Sequence, residues 1–350
     1  MFPAWLLIAR YHTTNFCKLC ELSKTAFISC SVNSAVCLKS DLQTLLSGLQ
    51  DANIYIIMEK QPLIKQAWLR VLIFTITFLV INLLVAYITG SIRKRKVTDS
   101  SDMLQGDALA YLLISAVIAF ITVFFFRRIV DKKSLTSLGL KWNHNQAYAG
   151  TGFFLGLLLL GLGSLVLIAN NNLHWTDIDF DANQLFLGLG LMIIIAFAEE
   201  LVVRGYILNN LLQSTNKWIA LTISALIFSL FHANNNGINP ISLVNIFLAG
   251  MMLGINYIYT GNLWFGILFH FIWNFYQSAI LGYKVSGVRL KSLLEQDLTG
   301  NNWLTGGNFG FEGSILTTVL LCLSLASLAW VYEKKFAIHS WRGKENVEPG

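Results

Sequence analysis

The chain has 350 residues, 55% of them hydrophobic and only 13% charged, with a net charge of +6. Soluble domains carry about 45–50% apolar and about 25% charged residues, so a water-facing globule of this size is excluded. With four Pro and no heptad repeat, collagen-like, coiled-coil and disordered chains are excluded as well, leaving an all-α, polytopic transmembrane bundle.

The first 57 residues contain no spanning run, no helical periodicity and no signal-peptide pattern. Cys17, Cys20, Cys30 and Cys37 lie there. The Cys17-x2-Cys20 spacing suits a zinc knuckle, but Cys30 and Cys37 are too far apart to form its second half. Met58-Glu-Lys-Gln-Pro-Leu-Ile-Lys65 then leads straight into an apolar run and reads as the natural start of a membrane protein. Residues 1–57 are expected to be a poorly ordered extension or a mis-assigned start.

Eight apolar runs follow, near 68–90, 107–126, 146–169, 184–206, 218–233, 240–259, 262–281 and 313–332. Each approaches the roughly 20 residues that cross a bilayer. Residues 58–332 therefore read as the membrane domain and 333–350 as a charged tail. Lys and Arg are in excess on the side holding both ends, which predicts cytoplasmic termini, although Arg93-Lys-Arg-Lys96 falls on the other side. Short loops suggest a bacterial inner membrane. Gly152-x3-Gly156 and Gly250-x3-Gly254 suit close helix approach in lipid. Positive charge collects in loops, where membrane orientation needs it, so nothing calls for a nucleic-acid partner.

Charge inside such runs is costly, at least ~2.5–3.5 kcal/mol per group on insertion scales. Between Asp181 and Glu295 the only acids are Glu199 and Glu200, inside the fourth run. Of the histidines after Met58, only His232 and His270 lie in or at the end of apolar runs, and Arg204 is the one basic residue that joins them. Glu200 and Arg204 are four apart on one helix face and are expected to pair. Glu199 lies about 100° around the helix, free to point elsewhere. His270 and Asn274 also share a face. A carboxylate removed from water is a stronger base, and two imidazoles with an amide supply donors for an oxyanion. Counted at ~1.5 Å per residue from the cytoplasmic helix ends, Glu199 and His270 come out roughly 10–12 Å deep and His232 roughly 22 Å deep.

Glu199-Glu200-Leu-Val-Val-Arg204, Phe228-Ser-Leu-Phe-His232 and His270-Phe-Ile-Trp-Asn274 resemble, in order, the EExxxR, FxxxH and HxxxN motifs of the CPBP family of CAAX-processing and bacteriocin-related (Abi) intramembrane proteases. The resemblance extends over about 107–281 and includes Ser134-Leu-Thr-Ser-Leu-Gly-Leu140. It implies an eight-helix glutamic endopeptidase acting on membrane-associated or lipidated peptides, with its site in 184–281. By motif position, Glu199 would activate water with help from His232, His270 and Asn274 would stabilise the oxyanion, and Glu200 with Arg204 would aim Glu199. No cofactor is implied. Zinc held by Glu199, His232 and His270 is the alternative, disfavoured because no HExxH occurs. A proton-coupled carrier would predict internal repeats and broken helices, and neither is evident. A non-enzymatic immunity protein could keep the same motifs as structure.

Overall fold

The computed structural model describes residues 61–90, 106–142 and 145–345. The extension 1–57 with its four cysteines, the Arg93–Lys96 run and the end of the tail lie outside them. Among the described residues the helices follow the apolar runs in order. They are α1 (Ala67–Ile88), α2 (Gly106–Phe125), α3 (Gln146–Ala169), α4 (Ala182–Glu200), α5 (Lys217–Phe231), α6 (Pro240–Thr260), α7 (Trp264–Phe275) and α8 (Ile315–Glu345). Three of them carry π-helical extensions: α2 over Phe126–Val130, α4 over Leu201–Leu208 and α7 over Tyr276–Ile280. A last turn, Asn209–Leu211, carries α4 beyond the expected end near 206.

Six of these helices are long and apolar enough to cross a membrane. Their outward side chains are apolar too: Phe154 is 69% exposed and Leu83 59%. Lipid is the solvent that accepts such a surface, and the chain is an integral, multi-pass, all-α membrane protein.

The fifth and seventh runs are the departures: α7 has 12 residues before its π-helical extension and is not among the six. α5 has 15 residues, about 22 Å at 1.5 Å per residue, short of a ~30 Å hydrocarbon core. Its start is set by Asn216, whose side chain accepts from the amides of Trp218 and Ile219. Its end is set by His232 and the Asn-rich turn behind it. Asn239 and Ser242 then form a reciprocal capping box with Pro240 in the first turn, and α6 begins. The 232–239 turn is thus irregular backbone, which needs protein cover. The 281–314 segment covers it: a Cβ on Gly287 would meet the Asn236 carbonyl, and one on Gly237 would lie 2.9 Å from the Asn308 carbonyl carbon. β1 (Leu173–Ile178) and β2 (Leu294–Leu298) pair antiparallel, Leu173 opposite Leu298, with a register shift between Trp175 and Asp177. That pairing ties the α3–α4 connection to the α7–α8 connection.

Both glycine pairs sit at helix crossings. A Cβ on Gly152 would lie 2.3 Å from the Phe265 carbonyl oxygen, and one on Gly156 2.6 Å from Ile272 Cγ2, so α3 and α7 touch backbone to backbone. Gly250 and Gly254 bring α6 equally close to Ala225 and Leu221 of α5. A polar knot fastens α1, α2 and α4: buried Asp131 accepts from Arg70, Arg127, Tyr206 and Asn210. The Ser134–Leu140 segment seats the start of α7, since the amide of Leu263 donates to the Gly139 carbonyl and Trp264 Nε1 to that of Leu140. Gly139 has φ +98°, and a Cβ there would stand 2.4 Å from the Gly261 carbonyl.

Gly152→Ala is expected to push α7 off α3 at a cost of roughly 1–3 kcal/mol, the usual price of overpacking. Gly161→Ala, on the same helix with nothing within 4 Å of its Cβ, should be neutral or slightly stabilising. Thermal unfolding of both variants in detergent checks the contrast.

Candidate active site

The site starts where α4 widens. The helix is regular to Glu200 and π-helical from Leu201 to Leu208, and such widened turns concentrate at functional sites. Glu200 and Arg204, 0% and 1% exposed, point inward, whereas Glu199 keeps 34% of its side chain open. Arg204 Nη1 donates to Glu200 Oε1 at 2.7 Å and Nη2 to the Gly250 carbonyl at 3.0 Å. Its guanidinium carbon lies 4.4 Å from the centre of the Phe228 ring. One residue therefore binds α4 to α5 and α6. That is what a buried pair at membrane depth requires if its charge is to be tolerated.

Glu200 does more than pair with Arg204. The Nδ1–H of His270 donates to Glu200 Oε1 at 3.0 Å, so the carboxylate fixes the orientation and the proton of that imidazole. Gly266, one turn earlier on α7, makes this possible, because a Cβ there would stand 2.8 Å from Glu200 Oε2. His232 is fixed differently: its Nδ1–H donates to the Phe228 carbonyl at 2.8 Å, leaving Nε2 to face the site. Phe228 thus supplies that acceptor, a ring under Arg204 and an edge-on contact with His270 at 6.1 Å.

The two free imidazole nitrogens converge on one oxygen. His232 Nε2 is 3.7 Å and His270 Nε2 3.8 Å from Glu199 Oε2. That oxygen is buried and has no hydrogen-bond partner. Both spacings exceed a direct hydrogen bond and suit an intervening water or reacting oxygen. Asn274, 8% exposed, lines the same cavity, and its backbone carbonyl accepts from Ser278 Oγ at 2.6 Å. All six residues expected from the motifs come together here. The difference in depth between Glu199 and His232 read from the sequence narrows because the helix carrying Glu199 runs on past residue 206 to Leu211. As they stand, no three His, Cys, Asp or Glu side chains among the described residues are close enough to hold a metal ion.

The cavity has a volume of about 370 Å³ and two characters. Apolar side chains of α1, α2 and α4, among them Leu79, Leu83, Ala116, Ala119 and Ile195, share its wall with the polar Asn235, Asn245, Ser286 and Glu312. Glu312 is the residue that the motifs do not reveal. Its carboxylate accepts from the amide and hydroxyl of Ser286 at 2.7 and 2.9 Å and from Trp273 Nε1 at 3.1 Å. Burial pushes its carboxyl above the usual range, opposed by the Ser286 donors, the His232 imidazole and Trp273. The sequence signal was faint: an isolated acid closing a Gly/Asn-rich loop just before the last apolar run.

Residues 181–276 match the family model described as Type II CAAX prenyl endopeptidase Rce1-like. No curated protein matches the chain. The matched stretch contains Glu199, Glu200, Arg204, His232, His270 and Asn274 and most of the helical framework that brings them together. Over these residues the chain is similar to the Rce1-like, CPBP/CAAX-protease family.

Proposed function

We propose that the protein is an intramembrane endopeptidase in which Glu199 activates a water molecule for attack on a peptide carbonyl. The observation that carries this reading is the convergence of Glu199 Oε2, His232 Nε2 and His270 Nε2 on one spot in a largely apolar cavity. A water at that spot donates one proton to Glu199 and the other to His232 Nε2, which is an acceptor because Nδ1 holds the ring proton. Its lone pair is then directed at the carbonyl carbon. Glu199 takes the proton as the C–O bond forms. The oxyanion is met by the Asn274 amide and by His270 Nε2, which donates once the ring carries both protons, with Glu200 as its counter-charge. Collapse breaks the C–N bond, and the proton held by Glu199 passes to the leaving amine.

The substrate class that fits is a peptide segment of a membrane-associated or lipidated protein, because the site lies among spanning helices. The Lys and Arg excess supports cytoplasmic termini, and we take the host membrane to be a bacterial inner membrane.

Zinc held by Glu199, His232 and His270 is the second reading, and the convergence of the same three atoms favours its mention. Against it, zinc would consume Glu199 as a ligand and require another residue as the base, and Asn274, a poor zinc ligand, suits a neutral oxyanion donor. Activity of the detergent-purified protein is expected to survive EDTA and phenanthroline, with well under one zinc per chain. Loss on chelation and recovery with zinc alone would overturn the metal-free reading.

A further inference from the structure

Charge balance in the cavity leaves something unaccounted for. Two carboxylates line it, Glu199 and Glu312, and no Lys or Arg does among the described residues. The Arg204 guanidinium does not line the cavity and is taken up by Glu200, the Gly250 carbonyl and the Phe228 ring. The two acids differ in support. Glu199 Oε2 is buried without a partner, as a base awaiting water requires. Glu312 has three donors aimed at it, from Ser286 and Trp273. These donors and the His232 imidazole favour the ionised form while burial opposes it, so a basic side chain brought against Glu312 would supply the counter-charge that the cavity wall lacks.

Glu312 also sits close to the proposed chemistry. Trp273, its donor on α7, directly precedes Asn274. Asn245 Nδ2 on α6 donates to the Glu312 backbone carbonyl at 2.7 Å and to that of Ser314 at 2.8 Å, fixing the residue against the bundle. Glu312 lines the same cavity as Glu199 and is near enough to the His232 imidazole to interact with its charge.

We propose that Glu312 is a specificity-determining residue whose carboxylate receives a basic side chain of the substrate close to the scissile bond. The cleaved segment then joins an apolar stretch, held against the apolar side chains of α1, α2 and α4, to a Lys- or Arg-bearing stretch. This inference rests on the peptidase reading above.

The test uses the full-length protein and a set of apolar membrane peptides that differ only in one residue, Lys, Gln or Glu, walked through the positions flanking the cut. At one position Lys is expected to raise kcat/KM over Gln by roughly tenfold and Glu to lower it, in the range typical of one well-placed charge contact. In Glu312→Gln the Lys/Gln ratio should fall towards one, while Glu312→Asp should keep most of it. Because each ratio is taken within one preparation, partial misfolding of a variant cancels. If Glu312→Gln does not fold, Glu312→Ser takes its place, and a Lys/Gln ratio unchanged from wild type there overturns the inference. Cleavage of the neutral peptides with a flat Lys/Gln ratio at every position overturns the inference and leaves the peptidase reading standing. A Lys preference that persists in Glu312→Gln equally overturns it, reducing Glu312 to a latch between Ser286 and Trp273. Failure to cleave any peptide of the set overturns the peptidase reading, and the inference with it.

Discussion

Glu200→Ala is expected to lose both folding stability and peptide cleavage. The substitution strands the Arg204 guanidinium, 1% exposed, with only the Gly250 carbonyl and the Phe228 ring, and frees His270 Nδ1 from its acceptor. Breaking a buried pair from one side costs roughly 3–5 kcal/mol. Arg204→Ala should be similarly unstable, since it leaves the Glu200 carboxylate without its guanidinium. The double variant Glu200→Ala/Arg204→Ala removes both charges and should recover part of the stability. It should not recover cleavage, because His270 still lacks the carboxylate that orients it. Thermal unfolding and cleavage rate, measured on the same detergent preparations, separate the two effects. A double variant no more stable than the worse single would mean that the two charges do not act as a pair. Cleavage that returns with stability would mean that Glu200 does nothing for His270.

These roles were only half legible in the sequence. The helices could be read because each depends on a local property, the length of an apolar run, and the eight runs reappear at their expected places. The Glu200–Arg204 contact could be read because four residues along a helix is a fixed local geometry, and it holds although the turns there are π-helical. What Glu200 does for His270 could not, because the partners are 70 residues apart and meet only where Gly266 lets α7 approach α4. The sequence reading had Glu200 and Arg204 aiming Glu199; the contacts add His270 as the group that Glu200 holds directly. Glu312 escaped for the same reason, since its donors come from α7 and from the connection after it. The shortness of α5 was hidden by counting apolar residues across the turn: the run continues to Ala233 in composition, but the helix stops at Phe231.

Glu199→Gln should cause the largest loss of activity with the smallest change in structure. Glu199 makes no hydrogen bond through Oε2 and is 34% exposed, so an isosteric amide disturbs no buried pair. The amide cannot take a proton from water, and removing a positioned general base typically lowers the rate by roughly 10²–10⁴-fold. The protein should insert, fold and unfold thermally like the wild type. The direct measurement is a comparison of membrane-protein termini in cells producing wild-type or Glu199→Gln protein at equal levels. New internal termini present with wild type and absent with Glu199→Gln are the predicted result. Identical termini in both, with the two proteins equally abundant and equally folded, would contradict the assignment of Glu199 as the base of an intramembrane endopeptidase.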